Sequence, residues 1–246
     1  MKFGRQCFFM IIGCFFLSGC YTKTVTGNGK IISQTRKLGA FDRVHALGVF
    51  KLIIKHGDQN SVLVKVDENL QSYVQTANRG GLLDIKVKPG VVIYPHNGLS
   101  VIVTEKTLKS LSLYGDINGR LEGVLSPTLA VDVSGLSHLA LSGKTNQLNL
   151  LVTGHASIDA GGLASKNATI NGAGIIRVLL NMRSGKLSVQ TSGRARISYV
   201  GHIGILHQHA TGDVQITRAP DLRDAARAIH SKKKVKATHD RALAAS

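Results

Sequence analysis

The chain has 246 residues, 27 glycines, few aromatic side chains (5%) and a formal net charge of +17. All three cysteines lie within the first 20 residues, which excludes a disulfide, a thiolate metal site or a cysteine nucleophile from the remainder. The positive charge predicts attraction to polyanions such as nucleic acid, anionic lipid or acidic polysaccharide, without choosing among them. No run of 18 apolar residues follows residue 20, so the sequence predicts no internal membrane span.

Residues 1–19 resemble the signal peptide of bacterial lipoproteins. Lys2 and Arg5 form a positive start, Cys7–Phe16 is a short apolar segment, and Leu17–Cys20 resembles the lipobox that lipoprotein-processing enzymes recognise. The resemblance implies that Cys20 is acylated, becomes the first residue of the mature protein and attaches it firmly to a membrane. An ordinary secretory leader that ends in cysteine is the alternative.

The residue after the cysteine bears on which membrane is expected. Tyr21 stands where an aspartate would resemble an inner-membrane retention signal. The expected location is therefore the cell envelope, lipid-anchored, with the outer membrane favoured and the periplasmic or surface orientation open. The polar residues 20–39 are predicted to be the lipidated cysteine and a tether that lifts the domain off the lipid, although Ile31 and Ile32 could begin a strand.

Residues 40–105 are predicted to form an irregular β region. Val49–Lys55 and Val62–Val66 alternate in polarity around a turn and predict a hairpin. Asp67–Gln75 is predicted to be a short helix capped by Asp67. Further alternation predicts strands at Leu83–Val87 and Leu99–Thr104.

Residues 106–217 repeat with a period near 20, and glycine marks the repeat. The marker glycines are Gly115, Gly135, Gly154, Gly172, Gly193 and Gly212. An aliphatic residue follows four positions after each of the last five: Leu139, Ile158, Ile176, Ile197 and Ile216. Before each of the first four glycines, apolar residues alternate with polar ones, which is typical of strands with one buried face. A glycine between two such runs indicates a turn or bend that a side chain would obstruct.

This period predicts an all-β fold, specifically a single-stranded, right-handed β-helix-like solenoid with coils of about 20 residues. The coil is too short for a helical pair, and stacked coils would align their aliphatic residues in columns. A β-sandwich is the alternative, because it also spaces short strands regularly.

The ordered motifs resemble the head GIN domain proteins, which are also described as auto-transporter adhesins. The matching segments are Phe41–Val44, Val49–Ile54, His56–Asp58, Asp67–Leu70 and Leu82–Gly90, followed by Tyr114–Gly119 and Asn171–Ile176 as copies of a Ser-Gly-Ala-Gly-Asp-Ile repeat. The resemblance covers about Phe41 to Thr217. It implies a usually exported, often lipid-anchored β-helical domain over residues 40–217 with no established enzymatic activity. The chain departs from the family by being basic where relatives often carry aspartate.

Two kinds of chemistry could use polar residues of the repeat, a metal site and a carbohydrate-active site. His202, His207, His209 and Asp213 could bind zinc, but their spacing offers no evident third ligand, so no metal and no cofactor is expected. A carbohydrate-active β-helix enzyme would need carboxylates gathered on one face, whereas Asp116, Asp132 and Asp159 occupy different positions relative to the glycines. We therefore expect no catalytic residues and no enzymatic activity.

Basic residues supply the candidate binding site. If Arg194 and Arg196 point outward beside Arg177, they form a cationic stripe, although simple solvation of outward positions explains them equally well. Residues 218–246 are predicted to form a basic segment, with a short helix at Asp221–His230 that caps the solenoid and a tail that carries Lys232, Lys233, Lys234 and Lys236. The predicted partners are a membrane through acylated Cys20, a polyanionic glycan, lipopolysaccharide or an envelope protein, and a second copy of the chain. Nucleic acid is not expected, because the leader predicts export and no stacking aromatics accompany the tail.

The sequence as a whole predicts a non-catalytic cell-envelope lipoprotein that acts as an adhesin or binding scaffold. The alternatives are a carbohydrate-active enzyme and a purely structural envelope component that assembles through its coil ends.

Overall fold

The computed structural model describes residues 22–220, and these residues are almost entirely β structure. The strands are β1 (Lys23–Thr26), β2 (Ile31–Arg36), β3 (Arg43–His56), β4 (Ser61–Asp67), β5 (Val74–Arg79), β6 (Leu82–Val87), β7 (Val91–Tyr94), β8 (Ser100–Glu105) and β9 (Ser110–Arg218). Within residues 22–220 the one helical element is a 3₁₀ helix at Glu68–Tyr73. The prediction of an all-β fold is therefore confirmed. None of the helical structure in the described part of the chain could cross a membrane.

Several sequence predictions lie outside the described residues. These are the leader at residues 1–19, the acylation site Cys20, the helix at Asp221–His230 and the basic residues Lys232, Lys233, Lys234 and Lys236.

Strand β9 contains 109 residues and is laid against itself through a column of glycines. Gly115, Gly135, Gly154, Gly174, Gly193 and Gly212 all have positive φ between 97° and 116°. A Cβ on any of them would collide with the backbone of the preceding glycine in the column, and the first of them meets Gly48 of β3. We call each glycine with its flanking residues a rung. Only glycine is compatible both with this φ and with such close backbone approach.

One predicted marker glycine is wrong. Gly174, not Gly172, contacts both Gly154 and Gly193 and has the positive φ. Gly172 faces inward, where a Cβ would meet the δ1 methyl of Ile176. Ile176 therefore lies two residues after its glycine, whereas Val178 occupies the position four residues after it.

The buried aliphatic residues follow the corrected register. Leu139, Ile158, Val178 and Ile197 each lie four residues after a column glycine and are at most 3% exposed. The position two residues after the glycine holds Ala156 and Ala195 in the rungs on either side of Ile176. The rung of Gly174 thus has a larger inward side chain at Ile176 and no side chain at Gly172. The two differences compensate, so the side-chain volume that faces the interior is similar to that of the neighbouring rungs.

Strand β3 belongs to the same stack as β9. It pairs in parallel with the first part of β9 over the whole of Arg43–Lys55, with Gly48 opposite Gly115. The predicted boundary between an irregular region at 40–105 and coils at 106–217 is therefore not a boundary in packing. The rung of Gly48 cannot be recognised from the sequence, because β4–β8 separate Gly48 from Gly115 and interrupt the period.

Five further strands pair with the other edge of β3 or with one another, in the order β2-β4-β8-β3-β6-β5, whereas β1 and β7 form a separate two-stranded sheet. The N-terminal half of β3 pairs in parallel with β6, and its C-terminal half pairs in parallel with β8. The predicted hairpin between β3 and β4 is wrong, because β8 lies between them and pairs antiparallel with β4. Alternating polarity identified both strands, but it carries no information about their partners.

The predicted tether is corrected for residues 23–36. β1 pairs in parallel with β7, and β2 pairs antiparallel with β4. The fully buried carboxylate of Asp67 accepts hydrogen bonds from the backbone amides of Gly29 (2.7 Å) and His96 (2.9 Å). Asp67 therefore fastens the β1–β2 turn to the body of the fold, and its side chain makes no capping bond to the 3₁₀ helix.

Candidate binding surfaces

The three arginines predicted to form a cationic stripe are all exposed. Arg177 and Arg196 each lie three residues after a column glycine, and their glycines, Gly174 and Gly193, are in contact. Their backbones therefore occupy equivalent positions on neighbouring rungs, about 4.8 Å apart. Arg194 lies two residues before Arg196 on the same face, and its Nε is 3.8 Å from the Asp213 carboxylate, with both side chains more than half exposed. Such an exposed pair is weak, so the cationic character rests on Arg177 and Arg196.

Exposed apolar side chains accompany these arginines. Val49, Leu136 and Ile175 each follow directly after a column glycine and are 73%, 55% and 40% exposed. Because side chains alternate along a strand, residues one and three positions after the glycine share the outer face. We call this face the ridge surface. Its basic and apolar members are Val49, Leu136, Ile175, Arg177, Arg194 and Arg196, and it also carries the exposed carboxylates of Asp116 and Asp213, each one position after a column glycine.

A second cationic site, which the sequence did not reveal, lies between the end of β2 and strands β5 and β6. It is a cleft of about 550 Å³ whose basic lining residues are Arg36, Lys37, Arg79 and Lys86, and Asp84 is its single lining carboxylate. We call it the β2–β5–β6 cleft. Its residues come from three strands, and Arg36 and Lys37 fell in the predicted tether, so no spacing in the sequence could have grouped them.

The carboxylate of the cleft is already paired with two neighbours. Lys86 Nζ lies 2.5 Å from Asp84 Oδ2, and His45 Nδ1 lies 2.7 Å from Asp84 Oδ1. Burial raises the pKa of Asp84, but the hydrogen bonds from Lys86 and His45 outweigh it, so the net pKa is lowered. Asp84 therefore stays charged and leaves the positive charges of Arg36, Lys37 and Arg79 without a carboxylate partner in the cleft.

Arg36 is the most constrained of these cations. Its Nη2 donates hydrogen bonds to the backbone oxygen (2.9 Å) and Oε1 (3.2 Å) of Gln71, while its buried Nε has no hydrogen-bond partner. Gln71 in turn donates to the carbonyl oxygens of Ile32 and Val64. The guanidinium is thus fixed in position by Gln71, and its buried Nε hydrogen has no acceptor inside the fold.

The carboxylates weighed for catalysis remain separate. Asp132 accepts a 2.7 Å hydrogen bond from the Tyr114 hydroxyl, Asp159 accepts one from the Gly161 amide, and Asp116 is exposed. Across residues 22–220 no three histidine, cysteine or carboxylate side chains come together as metal ligands would. The three carboxylates named from the sequence thus have different surroundings, and Asp159 lines a small pocket together with Glu122.

The described part of the chain therefore carries two exposed basic surfaces on an all-β fold. The family described as "Putative auto-transporter adhesin, head GIN domain" matches residues 40–202, and the chain belongs to this family. The resemblance of the sequence to the head GIN domain proteins is therefore confirmed for residues 40–202. No curated protein matches the chain.

Solved structures share the fold at low sequence identity. A putative adhesin from Bacteroides fragilis is 17% identical with a TM-score of 0.66, over 79% of this chain and 99% of that one. A protein from Parabacteroides distasonis described as a putative lipid binding protein is 18% identical, with a TM-score of 0.51 over 80% of this chain and all of that one. A putative adhesin from the same organism is 20% identical, with a TM-score of 0.50 and the same coverage. At these identities the likeness establishes the fold alone.

Proposed function

We propose that the protein is a non-catalytic, lipid-anchored protein of the cell envelope whose β-solenoid acts as an adhesin or binding scaffold for a polyanionic glycan. Lipopolysaccharide, a polyanionic glycan of the envelope itself, is included in this class. The family and the similar structures described as adhesins support the adhesive part of the proposal.

The solenoid supplies the scaffold in this proposal, with coils of about 20 residues and a right-handed winding. Its support is the column of glycines from Gly48 to Gly212 and the parallel register between β3 and β9. Polar contacts between residues about one coil apart support it further, such as Asn181 Nδ2 to the Gly161 oxygen at 3.1 Å. A stack of this kind repeats an outward position every 4.8 Å or so and suits an extended polymer.

The observation that carries the binding proposal is the alignment of Arg177 and Arg196 on neighbouring rungs. Two guanidinium groups at this spacing repel each other unless an anion lies between them, and a polyanion with closely spaced sulfate, phosphate or carboxylate groups provides one. Val49, Leu136 and Ile175 add apolar contact on the same ridge surface. Basic and apolar groups side by side also suit an envelope protein as the ligand, which remains the alternative.

Attachment to the membrane is assigned to acyl chains on Cys20, with the outer membrane as the favoured location. The support is the lipobox-like sequence Leu17–Cys20 and the tyrosine that follows it. Several acyl chains together give stable anchoring. The basic residues Lys232, Lys233, Lys234 and Lys236 are proposed to add attraction to anionic groups. The mass of the N-terminal peptide of the mature protein tests this part, and an unmodified cysteine would remove it.

The binding part is tested by retention of the protein on heparin in a salt gradient. We expect Arg177→Gln/Arg196→Gln to elute at clearly lower salt than the unchanged protein, because two aligned charges are lost. Lys144→Gln/Lys166→Gln is the matched control, since both lysines are exposed and lie off the ridge surface. Equal shifts for the two double variants would mean that retention reports only net charge, and the ridge proposal would fail. Turnover of any glycan in a panel would contradict the non-catalytic part.

A structural role through self-assembly is the second candidate, and the last rung favours it. Ile203, Val214 and Ile216 pack against the core but are only partly buried, and Ile205 and Leu206 are 56% and 48% exposed. Equivalent inward positions in earlier rungs are almost fully buried. Light scattering tests this candidate: a dimer that Ile203→Lys/Val214→Lys converts to a monomer would support it, and a monomer at all concentrations would remove it.

A further inference from the structure

We propose that the β2–β5–β6 cleft binds the phosphate headgroup of an anionic lipid in the membrane to which the protein is anchored. This inference rests on the proposed acylation of Cys20. It assigns the cleft a role separate from that of the ridge surface, which binds the external polyanion.

The first argument is the position of the anchor. Strand β1 begins at Lys23, so only three peptide units separate the folded domain from Cys20, and they span at most about 11 Å. The tether predicted from sequence would have allowed the domain to move away from the lipid, but residues 23–36 are paired strands. The end of the domain that carries Lys23 is therefore held next to the headgroup layer.

The second argument is that the cleft lies at this same end. The Lys23 amide donates to the Gly90 oxygen at 2.8 Å, and Lys23 Nζ donates to the Tyr73 hydroxyl at 2.9 Å. Tyr73 directly precedes Val74, which lines the cleft. Lys86 lines the cleft from the strand that ends just before Gly90. The start of β1 thus lies beside the Val74 end of the cleft lining.

The third argument is the chemistry of the lining. Arg36, Lys37 and Arg79 have no carboxylate partner in the cleft, because Asp84 is occupied by Lys86 and His45. Arg36 is held in place by Gln71 and lines the cleft. A fixed guanidinium in a cleft that two further cations also line matches a phosphate with several acceptor oxygens. The negative surface potential of anionic lipid would concentrate such headgroups at the cleft.

The test uses the mature, acylated protein reconstituted in vesicles of phosphatidylcholine with or without phosphatidylglycerol. Backbone hydrogen exchange is measured for residues 34–38 and 74–79, which line the cleft. We expect several-fold slower exchange in the vesicles with phosphatidylglycerol, and loss of this difference at high salt. Lys37→Gln/Arg79→Gln should abolish the difference, since both side chains are exposed and their loss leaves the core unchanged. Arg177→Gln/Arg196→Gln removes the same charge from the ridge surface and should retain it.

Each outcome decides between the claims. Equal exchange in the two vesicle types, or loss of the difference in both double variants, would overturn the headgroup site. Slowing by inorganic phosphate in neutral vesicles, without any effect of phosphatidylglycerol, would assign the cleft to a soluble anion and overturn the lipid assignment. The mass of the N-terminal peptide tests acylation independently, so an unacylated Cys20 would remove the anchor proposal and is distinguishable from failure of the cleft.

Discussion

The region before β9 and strand β9 itself bury different kinds of polar side chain. In the region before β9, the buried polar side chains are Asp67, Gln71 and Glu105, which include two carboxylates and an amide. Within β9 they are Ser126, Ser137, Thr145, Ser165 and Thr191, all hydroxyl-bearing residues. The first region is therefore fastened by the individual hydrogen bonds of Asp67 and Gln71, whereas the second relies on repeated backbone pairing and aliphatic side chains.

This difference follows from how each half is built. Every rung of β9 lies on a neighbour about 20 residues away, so its hydrogen bonds and glycine contacts recur along the strand. β1, β2, β4 and β8 pair with partners that are distant in sequence or separated by another strand. Such irregular connections leave loops at Gly29 and His96 whose backbone amides need a side-chain acceptor, and Asp67 supplies it. Strand β9 can rely on one contact that recurs in every rung, whereas the strands before it need contacts that each occur only once.

The largest expected effect comes from breaking the repeat at the glycine column. Gly174→Ala places a Cβ against the backbone oxygen of Gly154 at a φ of 116° and should lower the free energy of unfolding by at least about 3 kcal/mol. Gly172→Ala is the matched control, because its Cβ meets the flexible end of Ile176 and its φ is not positive. We expect it to cost only about 1–2 kcal/mol. Urea unfolding measures the free energy of unfolding of both variants. If Gly172→Ala destabilised the protein as much as Gly174→Ala or more, Gly172 would again be the marker of the repeat.

The sequence predicted the parts of the fold that depend on local contacts. The period of β9, its inward aliphatic residues and the strands at Leu83–Val87 and Leu99–Thr104 follow from spacing and alternation alone. The Gly172 error arose because two glycines lie two residues apart, and only contact with Gly154 distinguishes the one in the column. Spacing in the sequence does not report which backbone a glycine approaches.

The remaining features depend on pairing between distant segments. Nothing near Val49–Lys55 shows that β8 enters between β3 and β4, or that Gly48 lies under Gly115. The arginines of the ridge surface could be proposed because they lie within the repeat. The β2–β5–β6 cleft could not, because its cations become neighbours only after three strands have been placed.

The next largest effect concerns the buried carboxyl of Glu105 in the region before β9. Its side chain is 2% exposed, its Oε2 has no hydrogen-bond partner, and burial raises its pKa to about 7. The folded protein therefore holds a proton that the unfolded chain releases above pH 4.5 or so, and stability falls as the pH rises from about 4.5 to 7. Glu105→Gln should remove this dependence and stabilise the protein at pH 8 by up to about 3 kcal/mol.

Urea unfolding at several pH values tests the Glu105 prediction. Glu68→Gln is the control, since Glu68 is exposed and pairs with Lys30 at the surface. The control should leave the slope of stability against pH unchanged. A wild-type protein whose stability does not fall across this window would contradict the assignment.

A smaller, local effect is expected from Asp67. Burial raises the pKa of Asp67, but hydrogen bonds from the His96 and Gly29 amides lower it more, so the net pKa lies below its ordinary value. The contribution of this carboxylate to stability is therefore present above the ordinary pKa and is lost as the pH falls through the lowered one. Asp67→Asn keeps the size and removes one acceptor, so hydrogen exchange should accelerate several-fold in β1, β2 and β7. Hydrogen exchange in β9 should stay unchanged. Acceleration there would show that strands β1, β2 and β7 unfold together with β9.

The smallest effect tests the link between the first and second rungs of β9. The Tyr114 hydroxyl donates a 2.7 Å hydrogen bond to Asp132 on the next rung, and this bond to a carboxylate raises the pKa of Tyr114 above 10. Asp132→Asn should lower the pKa of Tyr114 towards 10 and change the free energy of unfolding by only about 1 kcal/mol. Ultraviolet titration measures the shift, and the difference from Tyr114→Phe assigns it among the five tyrosines. An unchanged titration would mean that the two side chains do not meet in solution, and would place the contact between these rungs in the backbone ladder alone. The Tyr114 ring also lies 5.2 Å from the ring of His45 on β3, and His45 in turn contacts Asp84 on β6. A confirmed shift would therefore show that polar side chains are in continuous contact from β6 to the second rung of β9.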